Sequence, residues 1–319
     1  MESTPVPETV LHLHPGMPEA SFRPMRERFD LVERAFAGIA ADPLPQADRI
    51  RGVVTIGVIG IDRALIDRLP SLGIIACYGS GYERIDVAAA RERGIVVTSN
   101  TGANAACVAD MALTLLLASV RRLGEGERFL RAGRWTKPAA PPALISTGMA
   151  GRRVGILGLG SIGEKIARRA AAFDMEVAYH NRRPKPDAPW AYHDTLASLA
   201  EWADILVVAC RADESTRGIV DRSVLAALGP QGHVVNIARG EVVDEAALIA
   251  ALEAGTIAGA GLDVFEHEPA VPEALMRLEN VVLAPHIASM TQAAHREMCR
   301  MTIESLDNFF AGRPLTNAR

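Results

Sequence analysis

Cysteine, charge of a single sign and long apolar runs are all scarce in this sequence, and each scarcity removes a class of protein. The four cysteines among 319 residues are Cys77, Cys107, Cys210 and Cys299. None has a CxxC or metal-ligand spacing to another, and four are too few for a disulfide framework, so they read as packed, reduced thiols with no metal site expected. Lys and Arg total 34 against 38 Asp and Glu, a net charge of -4. No basic block stands out as a phosphate-tracking surface, so nucleic acid is not an expected partner. Every charge-free run falls short of the roughly 18 apolar residues that a spanning helix needs, and no membrane association is expected. The stretch Met1 to Val10 carries Glu2, Pro5, Pro7 and Glu8 where a signal peptide would have a positive start and an apolar core. A cytoplasmic protein is expected.

What remains is an ordinary globular composition, 49% apolar and 23% charged, long enough for about two domains. Short apolar runs of strand length alternate with amphipathic stretches of helix length, the pattern of a parallel sheet covered by helices. In the first third, Val10 to Leu13, Gly52 to Val58, Ile74 to Cys77 and Ile95 to Thr98 read as strands, and Asp62 and Asp86 are placed to cap helices. A second series follows: Arg153 to Leu157, Glu176 to His180, Ile205 to Ala209, His233 to Ile237, Ala258 to Leu262 and Val281 to Leu283. These six strands suggest a complete doubly wound sheet. Between the series, Ala103 to Leu123 reads as a long helix bridging two domains and ending at Arg121 and Arg122, where the helix dipole favours cations. Lys137 to Gly151, with Pro138, Pro141 and Pro142, reads as an irregular crossing. The last helix, about Thr291 to Phe310, has no strand after it and is expected to fold back onto the first series.

The strand Val154 to Leu157 runs straight into Gly158-Leu159-Gly160-Ser161-Ile162-Gly163 and then into a helical stretch. This is GxGxxG in the context that a dinucleotide site requires. Gly158 would make the tight turn, Gly160 would admit a pyrophosphate to the backbone, and Gly163 would let helix and strand pack closely. The free amides at the helix start then face the phosphates. The next strand, Glu176 to His180, ends in Asn181, Arg182 and Arg183 where an NAD site places a carboxylate on the ribose. A guanidinium there can pair with a 2′-phosphate, so NADP(H) is expected in preference to NAD(H).

Three later segments put an arginine, a glutamate and a histidine in loops after strands, at the end where open α/β sheets bind ligands. They are Val234 to Gly240, Gly261 to Pro269 and Leu283 to Ser289. Hydride delivered to a ketone carbon leaves negative charge on oxygen, and a histidine is the fitting proton donor near neutral pH. His286 is placed for that. A carboxylate such as Glu268 favours the charged imidazole and fixes its orientation, and Arg239 can grip a substrate carboxylate with two parallel hydrogen bonds.

The glycine motif, NIARGEVVD at 236–244, GLDVF at 261–265 and PHI at 285–287 occur in the order and spacing of one family. Nearly the whole chain resembles the D-isomer-specific 2-hydroxyacid dehydrogenases, especially the glyoxylate and hydroxypyruvate reductase branch. The resemblance implies an α/β fold of two doubly wound parallel-sheet domains, a Rossmann cofactor domain at 103–286 inserted into a discontinuous flavodoxin-like substrate domain at 1–102 and 287–319. It implies Arg239, Glu268 and His286 as catalytic residues, and cofactor contacts from the glycine motif, Asn181, Arg182, Arg183, Cys210, Thr216, Ile237, Ala238, Asp263 and Ala288, with Asp263 on the nicotinamide amide. Ser80 and Gly81 match the loop whose amides hold the substrate carboxylate. Trp135 matches a tryptophan that reaches the partner subunit's site, which implies a homodimer and a small polar 2-oxo acid. The implied reaction is NADPH-dependent reduction of glyoxylate or hydroxypyruvate. Two alternatives stay open: a dehydrogenase for a bulkier acid such as an aryl pyruvate, and a non-catalytic dinucleotide-sensing corepressor of the same fold.

Overall fold

The computed structural model describes residues 7–13, 19–34, 43–44, 46–139 and 141–319; residues 1–6 of the stretch read for a signal lie outside these. The chain divides into two compact units, Met1–Asn104 with Met290–Arg319, and Ala105–Ser289.

In the first unit the order is β1 (Thr9–His12), α1 (Glu19–Arg28), β2 (Asp30–Glu33), β3 (Ile50–Thr55), α2 (Arg63–Asp67), β4 (Ile74–Cys77), α3 (Val87–Glu92) and β5 (Val96–Ser99). All pairs are parallel, in the order β2-β1-β3-β4-β5, the doubly wound order of flavodoxin-like sheets. The inner strands β1 and β4 are buried at every position, because a parallel sheet is covered on both faces. Asp62 and Asp86 do cap α2 and α3, accepting from Leu65 and Ala89 amides at 2.8 Å each. One face packs Leu11, Val53 and Ile75 against Leu65, Ile66, Ala89 and Ala90 of these helices. The last helix of the chain, Gln292–Phe310, belongs to this unit. A side chain at Gly52 would sit 3.2 Å from its Leu306, and Asn100 donates to its Met298 carbonyl and Thr302 hydroxyl at 2.8 Å.

The second unit opens with α4 (Ala105–Val120) and α5 (Leu123–Arg131), then β6 (Arg153–Leu157), α6 (Ser161–Ala171), β7 (Glu176–His180), β8 (Ala191–Tyr192), α7 (Leu196–Trp202), β9 (Ile205–Val208), α8 (Arg222–Leu228), β10 (His233–Asn236), α9 (Glu245–Glu253), β11 (Gly259–Leu262), α10 (Glu273–Arg277) and β12 (Val281–Leu283); the final helix, α11, is Gln292–Phe310. The sheet runs β12-β11-β10-β9-β6-β7-β8, all parallel. It is a Rossmann sheet with one more strand at the β12 edge. Period-2 alternation feeds both layers: Leu206 and Val208 of β9 join the core under α7, α8 and α9, while Ile205 and Val207 join the core under α4 and α6.

Three expectations are corrected. The second sheet has seven strands, because the two-residue β8 adds an edge after β7. The first sheet gains β2, whose charged ends hide it among polar sequence. The bridging helix stops at Val120; Arg122 is left-handed (φ 52) and begins α5, so neither arginine lies in the last turn of α4. No helix among the described residues is long and apolar enough to cross a membrane.

Candidate active site

The order of strands reverses between β6 and β9, and their carboxyl ends open the crevice where such sheets take ligands. Gly158, after β6, has φ +99, and a Cβ on it would lie 2.5 Å from the Cys210 backbone after β9. Only glycine fits both demands. A Cβ on Gly163 would overlap the Gly158 carbonyl oxygen, whereas Gly160 faces open space. The turn therefore has the cradle that a pyrophosphate needs, with the first turn of α6, Ser161, Ile162 and Gly163, presenting its amides beside it. One amide is already used: Leu159 N donates to Asn181 Oδ1 at 2.7 Å. Asn181 thus braces the glycine turn from the end of β7, a role that the sequence did not suggest.

A cavity of about 980 Å³ adjoins this turn, lined by Gly158, Leu159, Gly160, Asn181, Arg182, Arg183, Lys185, Cys210, Arg211, Asp213, Ser215 and Thr216 among others. Thr216 is spent on its own turn, accepting from the Asp213 amide at 2.8 Å and donating to the Arg211 carbonyl at 2.9 Å. Burial pushes the Cys210 thiol up to about 11, with the Asp213 charge in the same direction; it is a neutral wall of the cavity, not a nucleophile. Ile237, Ala238, Asp263 and Ala288 lie further along the sheet, beyond the lining of this cavity.

There the loops after β10, β11 and β12 meet. Asn236 closes β10 and turns its side chain into the next loop, accepting from the Ala238 amide at 3.0 Å and donating to the Arg239 carbonyl at 2.9 Å. A Cβ on Gly240 would overlap the Phe265 carbonyl group, so glycine lets the Arg239 loop lie directly on the loop after β11. Within that loop, Glu268 accepts from the Phe265 amide at 3.1 Å through Oε1 and meets His286 Nδ1 at 2.7 Å through Oε2. Burial pushes the Glu268 carboxyl up, but the His286 hydrogen bond and charge, the Phe265 amide and the Arg239 guanidinium outweigh it, and the net position is below the ordinary value. Glu268 is a carboxylate, so it holds Nδ1 as the protonated nitrogen and leaves Nε2 to exchange a proton.

His286 itself is left-handed, φ 53, a conformation that costs a non-glycine residue free energy and persists only when its surroundings fix it. Asp263 fixes it. Its carbonyl accepts from the His286 amide at 2.8 Å, and its carboxylate oxygens accept from the Ile287 and Ala288 amides at 2.8 and 2.9 Å. Asp263 is 1% exposed, and burial raises its carboxyl against the pull of those two amides. The sequence marks Asp263 for the cofactor; this pinning of the histidine loop was not foreseen.

Residues 113–288 match the NAD-binding domain of the D-isomer specific 2-hydroxyacid dehydrogenases. Glyoxylate/hydroxypyruvate reductase A of Arabidopsis thaliana is 45% identical over 266 residues, 83% of this chain and 84% of that protein. The hydroxyphenylpyruvate reductase of Plectranthus scutellarioides is 43% identical over 270 residues, 85% of each. The chain belongs to the D-isomer specific 2-hydroxyacid dehydrogenase family. Its fold agrees at TM-score 0.90 with the crystal structure of an NADPH-dependent glyoxylate/hydroxypyruvate reductase from Sinorhizobium meliloti in complex with NADP and malonate, which is 40% identical, with 98% of this chain and 96% of that one aligned. This dehydrogenase is accordingly an oxidoreductase of small hydroxy and oxo acids with a Rossmann NAD-binding domain.

The remaining residues of interest are described within their own units. In the first, Ser80 follows β4 and donates to Asn104 Oδ1 at 2.8 Å, with Gly81 beside it. In the second, Trp135 follows α5 and is 55% exposed.

Proposed function

We propose that this dehydrogenase reduces a small 2-oxo acid, glyoxylate or hydroxypyruvate, to the D-2-hydroxy acid with NADPH. The observation that carries the reading is the His286–Glu268 couple at 2.7 Å beside the Arg239 loop. A bound reduced nicotinamide supplies the hydride. His286 Nε2 donates the proton to the oxygen on which charge develops, and Glu268 steadies the charged imidazole through Nδ1. Arg239 pairs with the substrate carboxylate and polarises the neighbouring carbonyl. Ser80 and Gly81, in the unit assigned to substrate (1–102 with 287–319), are assigned to substrate binding on the family resemblance. Asp263, Ile237 and Ala238 of the 103–286 coenzyme domain, with Ala288 just past its boundary, are assigned to the nicotinamide end.

The coenzyme assignment is supported by the cradle at Gly160 and by four cations, Arg182, Arg183, Lys185 and Arg211, around the adjoining cavity. A homodimer is supported by α5, which has no buried residue, and by Leu123, Leu130, Trp135 and Ile145, all more than half exposed; a second copy would cover them. Four cysteines with no disulfide between them suit the reducing cytoplasm.

A second reading, a bulkier aryl 2-oxo acid, is favoured by the likeness to the hydroxyphenylpyruvate reductase. Initial rates of NADPH and NADH oxidation with glyoxylate, hydroxypyruvate, pyruvate and phenylpyruvate separate the two. Highest kcat/KM with NADPH and glyoxylate or hydroxypyruvate is the expected result; highest with phenylpyruvate selects the second reading. Coenzyme binding without turnover of any acid overturns both and leaves a sensing role.

A further inference from the structure

The cavity beside the glycine turn is lined by four cations and, among its described lining residues, a single carboxylate, Asp213. Asp213 stands on the turn after β9, facing the end of β7, where Asn181 occupies the place of the ribose-binding carboxylate of an NAD site. Its Oδ1 is fixed, accepting from the Ser215 amide at 2.9 Å and the Ser215 hydroxyl at 2.5 Å. Its Oδ2 lies 3.6 Å from Arg182 Nη1. The arginine side chain is 79% exposed and the carboxylate 33%. Asp213 is therefore the anchored partner and Arg182 the one free to swing. The Ser215 hydroxyl and, against burial, the Ser215 amide and the arginines hold the Asp213 carboxyl below its ordinary range, so it is charged at neutral pH.

We propose that Asp213 sets the coenzyme preference of this site, competing with a 2′-phosphate for Arg182 and offering the ribose diol of NAD(H) the carboxylate that β7 lacks. The proposal rests on the reading of this cavity as the ribose end of the coenzyme site. A 2′-phosphate carries close to two negative charges. To bind, it must take Arg182 from Asp213 and tolerate the carboxylate nearby, whereas two ribose hydroxyls are donors that a carboxylate accepts. Both effects lower the ratio of NADPH to NADH affinity, so removing the charge raises it.

The experiment is titration of the full chain with NADPH and with NADH, by calorimetry or quenching of intrinsic fluorescence, in wild type, Asp213→Asn, Asp213→Ala and Arg182→Ala. Asparagine keeps an oxygen for the Ser215 amide and puts an uncharged NH₂ in place of Oδ2, removing the negative charge that Arg182 faces. Its Kd ratio, NADH over NADPH, is expected to rise about tenfold, equivalent to about 1.4 kcal/mol, and alanine, which also loses the turn's hydrogen bonds, must move the ratio the same way. Arg182→Ala must weaken NADPH more than NADH. If Arg182→Ala does so while both Asp213 variants leave the ratio unchanged or lower it, the role of Asp213 is wrong and the cavity reading stands. If Arg182→Ala changes neither constant, the cavity reading fails and takes this proposal with it.

Discussion

His286 combines two features that a packing histidine has no need of: a carboxylate partner at 2.7 Å and a left-handed backbone held by its neighbours. His286→Ala is expected to lower kcat by about 10²- to 10⁴-fold, the usual worth of a positioned acid, with the coenzyme Kd nearly unchanged in the same preparation. Arg239→Ala removes a charge-assisted pair worth about 1.5–3 kcal/mol, so kcat/KM for the 2-oxo acid should fall roughly ten- to a hundredfold, again without loss of coenzyme. Asp263→Asn tests the support rather than the chemistry. Both carboxylate oxygens accept from backbone amides, and an asparagine NH₂ would set donor against donor at one of them. A loss of about 1–3 kcal/mol in urea unfolding, together with reduced kcat, is expected; unchanged stability would mean that the loop is held by something else.

At the scale of elements, close approach of backbones decides where the site residues stand. Gly240→Ala must drive the Arg239 loop away from Phe265 and Gly163→Ala must drive α6 off the glycine turn, because each Cβ meets backbone rather than a flexible side chain. Each should cost about 1–3 kcal/mol. They differ in function: Gly240→Ala should raise the KM for the 2-oxo acid, and Gly163→Ala the Kd for coenzyme, as steady-state kinetics and titration would show. Most of the strands that create these approaches are legible locally, since an inner parallel strand such as β4 or β9 is one unbroken apolar run. Edge strands are not. β2 is only half covered and carries Asp30 and Glu33 at its ends, and β8 is two exposed residues, so neither offers the pattern that burial on two faces imposes. The same division holds in the site. Arg239, Glu268 and His286 are legible because each follows an apolar strand, at the ligand end of the sheet. The Asp263 grip on the amides of Ile287 and Ala288 and the Asn181 grip on Leu159 join different loops; which loops adjoin depends on the strand order, and periodicity says nothing of that. A polar residue at or just past the end of an apolar strand, as with Asn236, Asp263 and Asn181, is the one signal that was available.

For the molecule as a whole, the consequence of burying titratable groups is acid sensitivity well above the range in which carboxylates titrate. His233, at the start of β10 in the second unit, is 7% exposed and bonded through Nδ1 to the Ser119 hydroxyl at 2.9 Å. Burial, with the nearby Arg152 guanidinium, pushes its imidazole down to about 4. Arg152 is itself 8% exposed and bound to the Thr147 hydroxyl and the Asp204 and Gln231 carbonyls, so its charge stays beside the ring. The unfolded chain binds a proton at His233 below about 6.5, while the folded chain refuses it until about 4. Between those values the unfolded state holds more protons, and stability falls as pH falls. The gap between about 6.5 unfolded and about 4 folded corresponds to about 3 kcal/mol, and burial of His295 in the first unit lowers its imidazole too and adds to the same slope. The unfolding free energy, measured in urea at half-unit steps from pH 7 to 4.5, should therefore decline steadily from about pH 6.5. In His233→Gln, which keeps a group for Ser119 but takes up no proton, most of that decline should disappear. A variant as acid-sensitive as the wild type over that window would show that His233 is protonated in the fold, and that the acid sensitivity lies elsewhere.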